Sequence, residues 1–260
     1  MVNTIYTQGK HVGSFNNWDE LRIGTSHPAF IWQGDTLVYP NPVKDGLVLW
    51  YDFSGMTNTD HNRGTAYDLS GSGNHGTLQN FNYTADSGYD NNSLIFDGVD
   101  DSVSIPLGES SQSFSFLINV SNLNKQTQLI SFSITHFYFK VEADGSIRLN
   151  TQSYDGKNSY QQSVFSDEVV FQTLKENKHL GVVLDKDLII LYAEGIEVGR
   201  KKLPADITPV SINGLGYWRR TYDDPNIHSF QVYNRPLTPE EITHNYTIEK
   251  EKFDITEGDS

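Results

Sequence analysis

From Gly46 to Tyr233, apolar and polar residues alternate in short runs broken by turn residues, the pattern of strands buried on one face. LVLWYDF (Leu47–Phe53) reads as a strand of nearly continuous apolar content. A polar, turn-rich stretch follows to Asn80. SLIFDGVDDSVSIP then predicts two strands, Ser93–Phe96 and Ser102–Ile105, about an Asp-Gly turn. SFSFLINV (Ser113–Val120) alternates cleanly, and QLISFSI continues in the same manner. HFYFKVEADGSIRLNT reads as a hairpin in which His136–Glu142 and Ser146–Thr151 flank Ala143-Asp144-Gly145, with Asp-Gly supplying the positive φ of a tight turn. Three more strands, His179–Leu184, Leu188–Ala193 and Ile196–Lys201, are joined through Asp185-Lys186-Asp187 and Glu194-Gly195. Strands at this spacing predict an antiparallel sandwich or barrel.

The pattern changes at FQVYNRPLTPEEITHNY. A last strand, Ser229–Tyr233, is broken by NRP, and a helix begins. Thr238 stands as N-cap, Pro239 at the first helical position and Glu241 at the third, which makes a capping box. Leu237 and Ile242 are spaced as a hydrophobic staple, and the two glutamates suit the positive end of the helix dipole. The helix is expected to run to about Glu251 and the acidic tail, residues 251–260, to be loose. At the other end, residues 1–45 read differently. Phe30, Ile31 and Trp32, a Gly34-Asp35 turn, a strand at Thr36–Tyr39 and a Pro40–Pro42 linker form a small hairpin. It is too small to hold a core alone, so it is expected to dock on residues 46–250 or on a neighbour. A mobile arm is the alternative.

Charge narrows the partners. There are 19 Lys and Arg against 33 Asp and Glu, a net charge of −14, so the long-range field repels nucleic acid and anionic membranes. With no cysteine, disulfides, thiolate zinc sites and thiol nucleophiles are excluded. No apolar run reaches membrane-spanning length, and the first residues carry no secretory signal pattern. Work outside the cell would follow release by a route such as lysis.

Five segments occur in order: GLVLWYDFSG, YDLSGSGNHGTL, SLIFDGVDDSVSIP, HLGVVLDKDLIILYAEGIEVGRKKL and SFQVYNRPLTPEEITHNY. Together, over about Gly46–Tyr246, they resemble the concanavalin A-like, laminin G-like (pentraxin-type) jelly-roll domain. The resemblance implies an all-β fold, an antiparallel β-sandwich with a short C-terminal helix, and a binding module, often for carbohydrate. IWQGDTLVYP is in turn similar to hairpins at the front of tail and other virion proteins of phages that infect Gram-positive bacteria. It implies a virion structural protein of tail, baseplate or fibre type, homo-oligomeric, assembled in the host cytoplasm beside other virion proteins and able to meet a cell-surface glycan. A free-standing lectin and a glycoside hydrolase are the alternatives.

Catalytic chemistry finds little support. Glucanases of this fold need carboxylates alternating along one strand, whereas Asp100-Asp101, Asp167-Glu168 and Asp223-Asp224 are adjacent pairs that a strand would send to opposite faces. No Gly-x-Ser-x-Gly, His-Glu-x-x-His or phosphate-cradling motif is present, and GSGNHG precedes no helix. No enzyme and no required cofactor are expected. Calcium is the one candidate ion. Asp68, Asn74, Asp97, Asp100 and Asp101 offer hard oxygens in two turn-rich segments that the resemblance brings close, although Asp68 and Asp97 can equally cap turns.

For sugar, GYWRRTYDDPN gathers Tyr217, Trp218, Arg219, Arg220, Tyr222, Asp223, Asp224 and Asn226 before the last strand. Ring faces stack on sugar C–H surfaces while Arg and Asp bond hydroxyls. Against this, Trp218 can end a core strand. YDGKNSYQQ (Tyr154–Gln162) is a second candidate or a plain hairpin loop. His75, His136 and His244 lie near these features without metal-pair spacing.

Overall fold

The computed structural model describes residues 3–7, 10–15, 31–33, 36–39, 41–90, 92–123, 127–134, 136–172, 176–216 and 225–254, the first four segments and residues 251, 253 and 254 as backbone. Two compact units result, residues 43–246 and residues 1–42 with 247–260. In the smaller unit β1 (Asn3–Thr7) pairs with β2 (Lys10–Phe15), and β3 (Ile31–Gln33) pairs with β4 (Thr36–Tyr39), both antiparallel. The second hairpin stands where the sequence places it. Phe30, the Gly34-Asp35 turn and Pro40 lie outside the described residues, as does the tail beyond Asp254.

The larger unit holds β5 (Leu47–Asp52), β6 (Thr65–Ala66), β7 (Gly76–Gln79), β8 (Gly88–Tyr89), β9 (Leu94–Ile95) and β10 (Ser102–Ser104). Next come β11 (Ser113–Ser121), β12 (Thr127–Phe132), β13 (Tyr138–Val141), β14 (Ile147–Tyr154) and β15 (Ser159–Phe165). The chain continues through β16 (Lys178–Asp185), β17 (Leu188–Ala193), β18 (Ile196–Lys202), β19 (Ile212–Gly216) and β20 (Asn226–Tyr233) to α1 (Pro239–Asp254). One sheet, here the front, runs β15-β14-β13-β12-β19-β10-β7-β6. The back sheet runs β18-β17-β16-β11-β20-β9-β8, with β5 also paired to β20. Every pairing among the described strands is antiparallel, and the result is the concanavalin A-like sandwich.

Alternation builds the core. Phe114, Phe116, Ile118 and Val120 of β11 and Leu180, Val182 and Leu184 of β16 face Val103, Ile130, Phe139, Leu149 and Leu215 of the front sheet. Phe116 and Phe139 meet edge to face at 5.3 Å. Each such buried side chain stabilises the fold by about 1.5–3 kcal/mol. Between β13 and β14, Gly145 takes φ 85°, the left-handed turn that the Asp-Gly pair predicts.

The two sheets differ on their outward sides. Leu117, Val183, Tyr192 and Tyr233 of the back sheet form a second apolar cluster with Leu237 and Ile242 at the start of α1. The capping box forms. Thr238 N–H donates to Glu241 Oε2 at 2.9 Å, and Glu241 N–H donates to Thr238 Oγ1 at 3.3 Å. Arg235 bridges Glu241 at 2.7 Å and Asp45 at 2.8 Å, which fixes the corner. Asn245 donates to the buried Tyr233 hydroxyl at 2.9 Å and accepts Val43 N–H at 2.9 Å.

On the front sheet, register aligns one row across all eight strands: Thr65, Thr77, Ser104, Gly214, Ser131, Tyr138, Asn150 and Ser163. Each lies on the side opposite its buried neighbour, such as Val103, Ile130, Phe139 or Leu149. β15 is a strand that the sequence reading left within a loop candidate. SYQQSVF alternates weakly because its outward residues are Ser159, Gln161 and Ser163.

Candidate functional site

Among the described residues, the turn from β9 to β10 carries the densest acidic group. Asp101 is 2% exposed, and its Oδ2 accepts the Asp97 N–H at 2.9 Å. Asp97 Oδ1 accepts the Val99 N–H at 2.8 Å, an Asx turn, and Asn80 Nδ2 holds the Asp100 carbonyl at 2.9 Å. One oxygen each of Asp97, Asp100 and Asp101 lies within 4.8 Å of the others. Burial, with the smaller effect of the neighbouring Asp97 and Asp100 charges, pushes the Asp101 carboxyl up to about 6, against the pull of the Asp97 N–H and the Ser87 hydroxyl. Asp101 Oδ1 is buried without a hydrogen-bond partner. Three carboxylates and one orphaned oxygen are a donor set of the kind that a hard divalent cation takes.

Asp68 and Asn74 are employed elsewhere. Asp68 Oδ1 accepts the N–H groups of Trp50 and Ser70 at 3.0 and 2.9 Å, and Oδ2 accepts that of Asn74 at 2.9 Å. Asn74 Nδ2 donates to Val48 at 2.8 Å. These bonds tie the 68–75 turn to β5. His75 joins them by accepting the Asp68 N–H at 3.0 Å on Nδ1. Asp68 stands outside the carboxylate group formed by Asp97, Asp100 and Asp101.

Tyr217, Trp218, Arg219, Arg220, Tyr222, Asp223 and Asp224 lie outside the described residues. Their flanks are described and converge on the acidic turn. Gly216, the last residue of β19, pairs with Ser102, the first of β10. A Cβ on Gly216 would sit 2.5 Å from the Phe96 ring and 2.9 Å from the Asp101 carbonyl, and its φ is +78°, so glycine is needed here. From the other flank, Pro225 accepts the Phe96 N–H at 3.2 Å. Asn226 then pairs with Ile95 as β20 begins. The carboxylate turn and the two residues that flank positions 217–224, Gly216 and Pro225, therefore share one rim of the sandwich.

The second sugar candidate is the tip of the β14–β15 hairpin. Asp155 Oδ1 accepts the N–H groups of Lys157 and Asn158, and Oδ2 accepts the Tyr160 hydroxyl at 2.8 Å. These bonds, led by that from Asn158, hold its carboxyl down at about 2. The sequence reading missed the front-sheet row beyond this tip. Its signal lay in the register of eight strands, which no local window contains.

A family model described as the concanavalin A-like lectin/glucanases superfamily matches residues 96–243. No curated protein matches the chain. Among solved structures, the binding domain of Paraclostridial mosquitocidal protein 1 is similar at 13% identity and TM-score 0.52, over 78% of this chain and 52% of that one. Domain 4 of AbnA, an extracellular arabinanase from Geobacillus stearothermophilus solved with arabinotriose, is similar at 17% identity and TM-score 0.53, over 77% and 98%. A Trypanosoma rangeli sialidase complexed with sialic acid is similar at 15% identity and TM-score 0.52, over 79% and 33%. This chain thus spans about half of the first protein's length and a third of the sialidase's. At such identities the likeness is one of fold.

Proposed function

Because the chain belongs to the concanavalin A-like lectin/glucanase superfamily, we propose that it is a carbohydrate-binding module of a bacteriophage virion protein, of tail, baseplate or fibre type. The observation that carries the binding role is the shared rim. Gly216 and Pro225, which in sequence flank Tyr217, Trp218, Arg219, Arg220 and Tyr222, both lie against the Phe96–Asp101 turn. Binding domains and a domain solved with arabinotriose recur among the fold's neighbours, which supports the same reading. The virion role is supported by the likeness of IWQGDTLVYP, which forms β3 and β4, to hairpins of phage structural proteins. Its partners are then other virion proteins, further copies of itself and a cell-surface glycan, and its place is the virion.

The role is non-catalytic. Asp97 and Asp101 each spend an oxygen on a turn N–H, so two carboxylates of the rim build backbone instead of flanking a scissile bond. Asp97, Asp100 and Asp101 would hold a calcium ion, which would neutralise three crowded charges and stiffen the turn between β9 and β10.

Binding to purified Gram-positive cell walls tests the module. Trp218→Ala should weaken it about tenfold with little change in Tm, as for an exposed aromatic anchor. Absence of binding by the unaltered protein, or a large fall in Tm for Trp218→Ala, contradicts the rim reading. Co-purification with tail or baseplate proteins from phage particles tests the virion role, and exclusion from particles contradicts it. Calcium at a hundredfold excess over its Kd should stabilise by about 2.7 kcal/mol. A Tm indifferent to calcium and to chelator removes the ion.

A further inference from the structure

We infer that the outward side of the front sheet, along β14 and β15, is a second glycan-binding surface, one that takes a neutral oligosaccharide of several rings. This inference rests on the carbohydrate-binding reading above and adds a site that the rim does not include.

The starting point is what this face lacks. The chain carries a net charge of −14, yet the row from Thr65 to Ser163 is hydroxyl, amide, phenol and glycine at all eight positions. Solvent-facing sheet positions ordinarily mix in Lys and Glu, which keep edges apart and proteins soluble. Among the described outward strand residues, charge gathers where Glu142 lies 3.0 Å from Lys140 and 3.1 Å from Arg148, and Asp155 and Asp206 stand only at the far tip beside Tyr154. Between Tyr154 and Phe165 the outward positions are Gln152, Asn150, Ser159, Gln161 and Ser163, with no ionised group among them.

Aromatic rings stand at both ends of that stretch. Tyr154 is 54% exposed and Phe165 is 47% exposed, and register puts both on the same face. Six residue steps along the strand lead from Ser159, the partner of Tyr154, to Phe165, roughly 20 Å at 3.3 Å per residue. That span fits a chain of several sugar rings and is too long for one. At one end, Tyr154, Gln152 and Ser159 line a cleft of about 320 Å³ with Gln112, Asp206 and Thr208. Such a volume lies within the range of small-ligand sites. At the other end, Arg148 lies under the exposed Phe165, 5.3 Å from its centroid, and holds the ring in place.

One exposed amide along the way remains available. The Gln161 amide makes no hydrogen bond among the described residues. Amides that both donate and accept, beside exposed rings, match a sugar's hydroxyls and its apolar C–H faces. An acidic glycan would instead require cations free of carboxylate partners, and both Lys140 and Arg148 have one.

The test is an array of neutral and acidic oligosaccharides of two to six rings, probed with the unaltered chain and with Tyr154→Ala, Phe165→Ala, Gln161→Ala and Trp218→Ala. Neutral hexasaccharides are expected to bind, with affinity falling about tenfold for Tyr154→Ala and for Phe165→Ala and less for disaccharides. Unchanged Tm for both exposed-ring variants shows that the loss comes from the surface and not from unfolding. If Tyr154→Ala, Phe165→Ala and Gln161→Ala bind like the unaltered chain while Trp218→Ala does not, the rim stands and the sheet surface is overturned. Binding of acidic glycans alone overturns the sheet surface too. Absence of binding to every glycan overturns the carbohydrate reading and this inference with it.

Discussion

On the outward side of the back sheet, Leu117, Val183, Tyr192 and Tyr233 are closed over by Leu237 and Ile242, and a buried amide, Asn245, serves the Tyr233 hydroxyl. On the outward side of the front sheet, Thr77, Gln79, Ser104 and Gln161 are exposed and carry only hydroxyls and amides. The inner faces of both sheets contribute to one apolar core, so core formation does not explain the contrast. Apolar outward residues on the back sheet require a cover, and the capped helix supplies it. Uncharged polar outward residues on the front sheet require none, and the exposed ones among them stay open to a ligand whose own surface is hydroxyl and C–H. The fold spends its helix on one side and leaves the other side and the rim beside it for contact.

The contrast can be broken by truncating one side chain on each face. Leu117→Ala, beneath the helix corner, should cost about 2–5 kcal/mol in urea unfolding, whereas Ser104→Ala on the front sheet should stay within about 0.5 kcal/mol. Equal losses would mean that the front face is also a packed interface.

A pH series probes the covered side next. His179 is buried near Tyr246, whose ring lies 5.8 Å away, and burial lowers its pKa to about 4 from 6.5. Below pH 6.5 the unfolded chain binds a proton that the folded chain refuses. The stability contributed by neutral burial is therefore lost as pH falls from 6.5 to about 4, up to about 3 kcal/mol at 1.36 per pKa unit. His179→Leu should flatten that part of the profile. Parallel profiles for the two proteins would show that His179 is not held neutral.

The smallest effect concerns the start of the cover. Thr238→Ala removes the acceptor for Glu241 N–H and should cost about 1 kcal/mol, with the front-sheet amides unchanged in hydrogen exchange. A loss spread over both sheets would mean that the helix start is coupled to the whole sandwich.

Much of this architecture was legible in sequence because its determinants are local. Thr238, Pro239 and Glu241 specify the helix start within four residues, and the structure forms both bonds of the capping box. Leu188–Ala193 is a strand over the very residues its alternation marks, and Lys186 and Glu194 take the positive φ of the flanking turns. The helix runs to Asp254, three residues past the expected end, since no glycine or proline stops it. The site was less legible because its determinants are long-range. Asp68 and Asn74 belong with Val48 and Trp50, and Asp101 belongs with Asp97, which spacing alone does not tell apart. The row of eight outward residues exists only through register between strands distant in sequence.

The most direct test of the account is amide hydrogen exchange of the whole chain with and without a neutral hexasaccharide that the array shows to bind. Protection is predicted along β14, β15 and the Phe96–Asp101 turn, with none on the helix-covered side at Val183, Tyr192 and Ile242. Protection confined to the helix-covered side would contradict the assignment of contact to the front sheet and its rim.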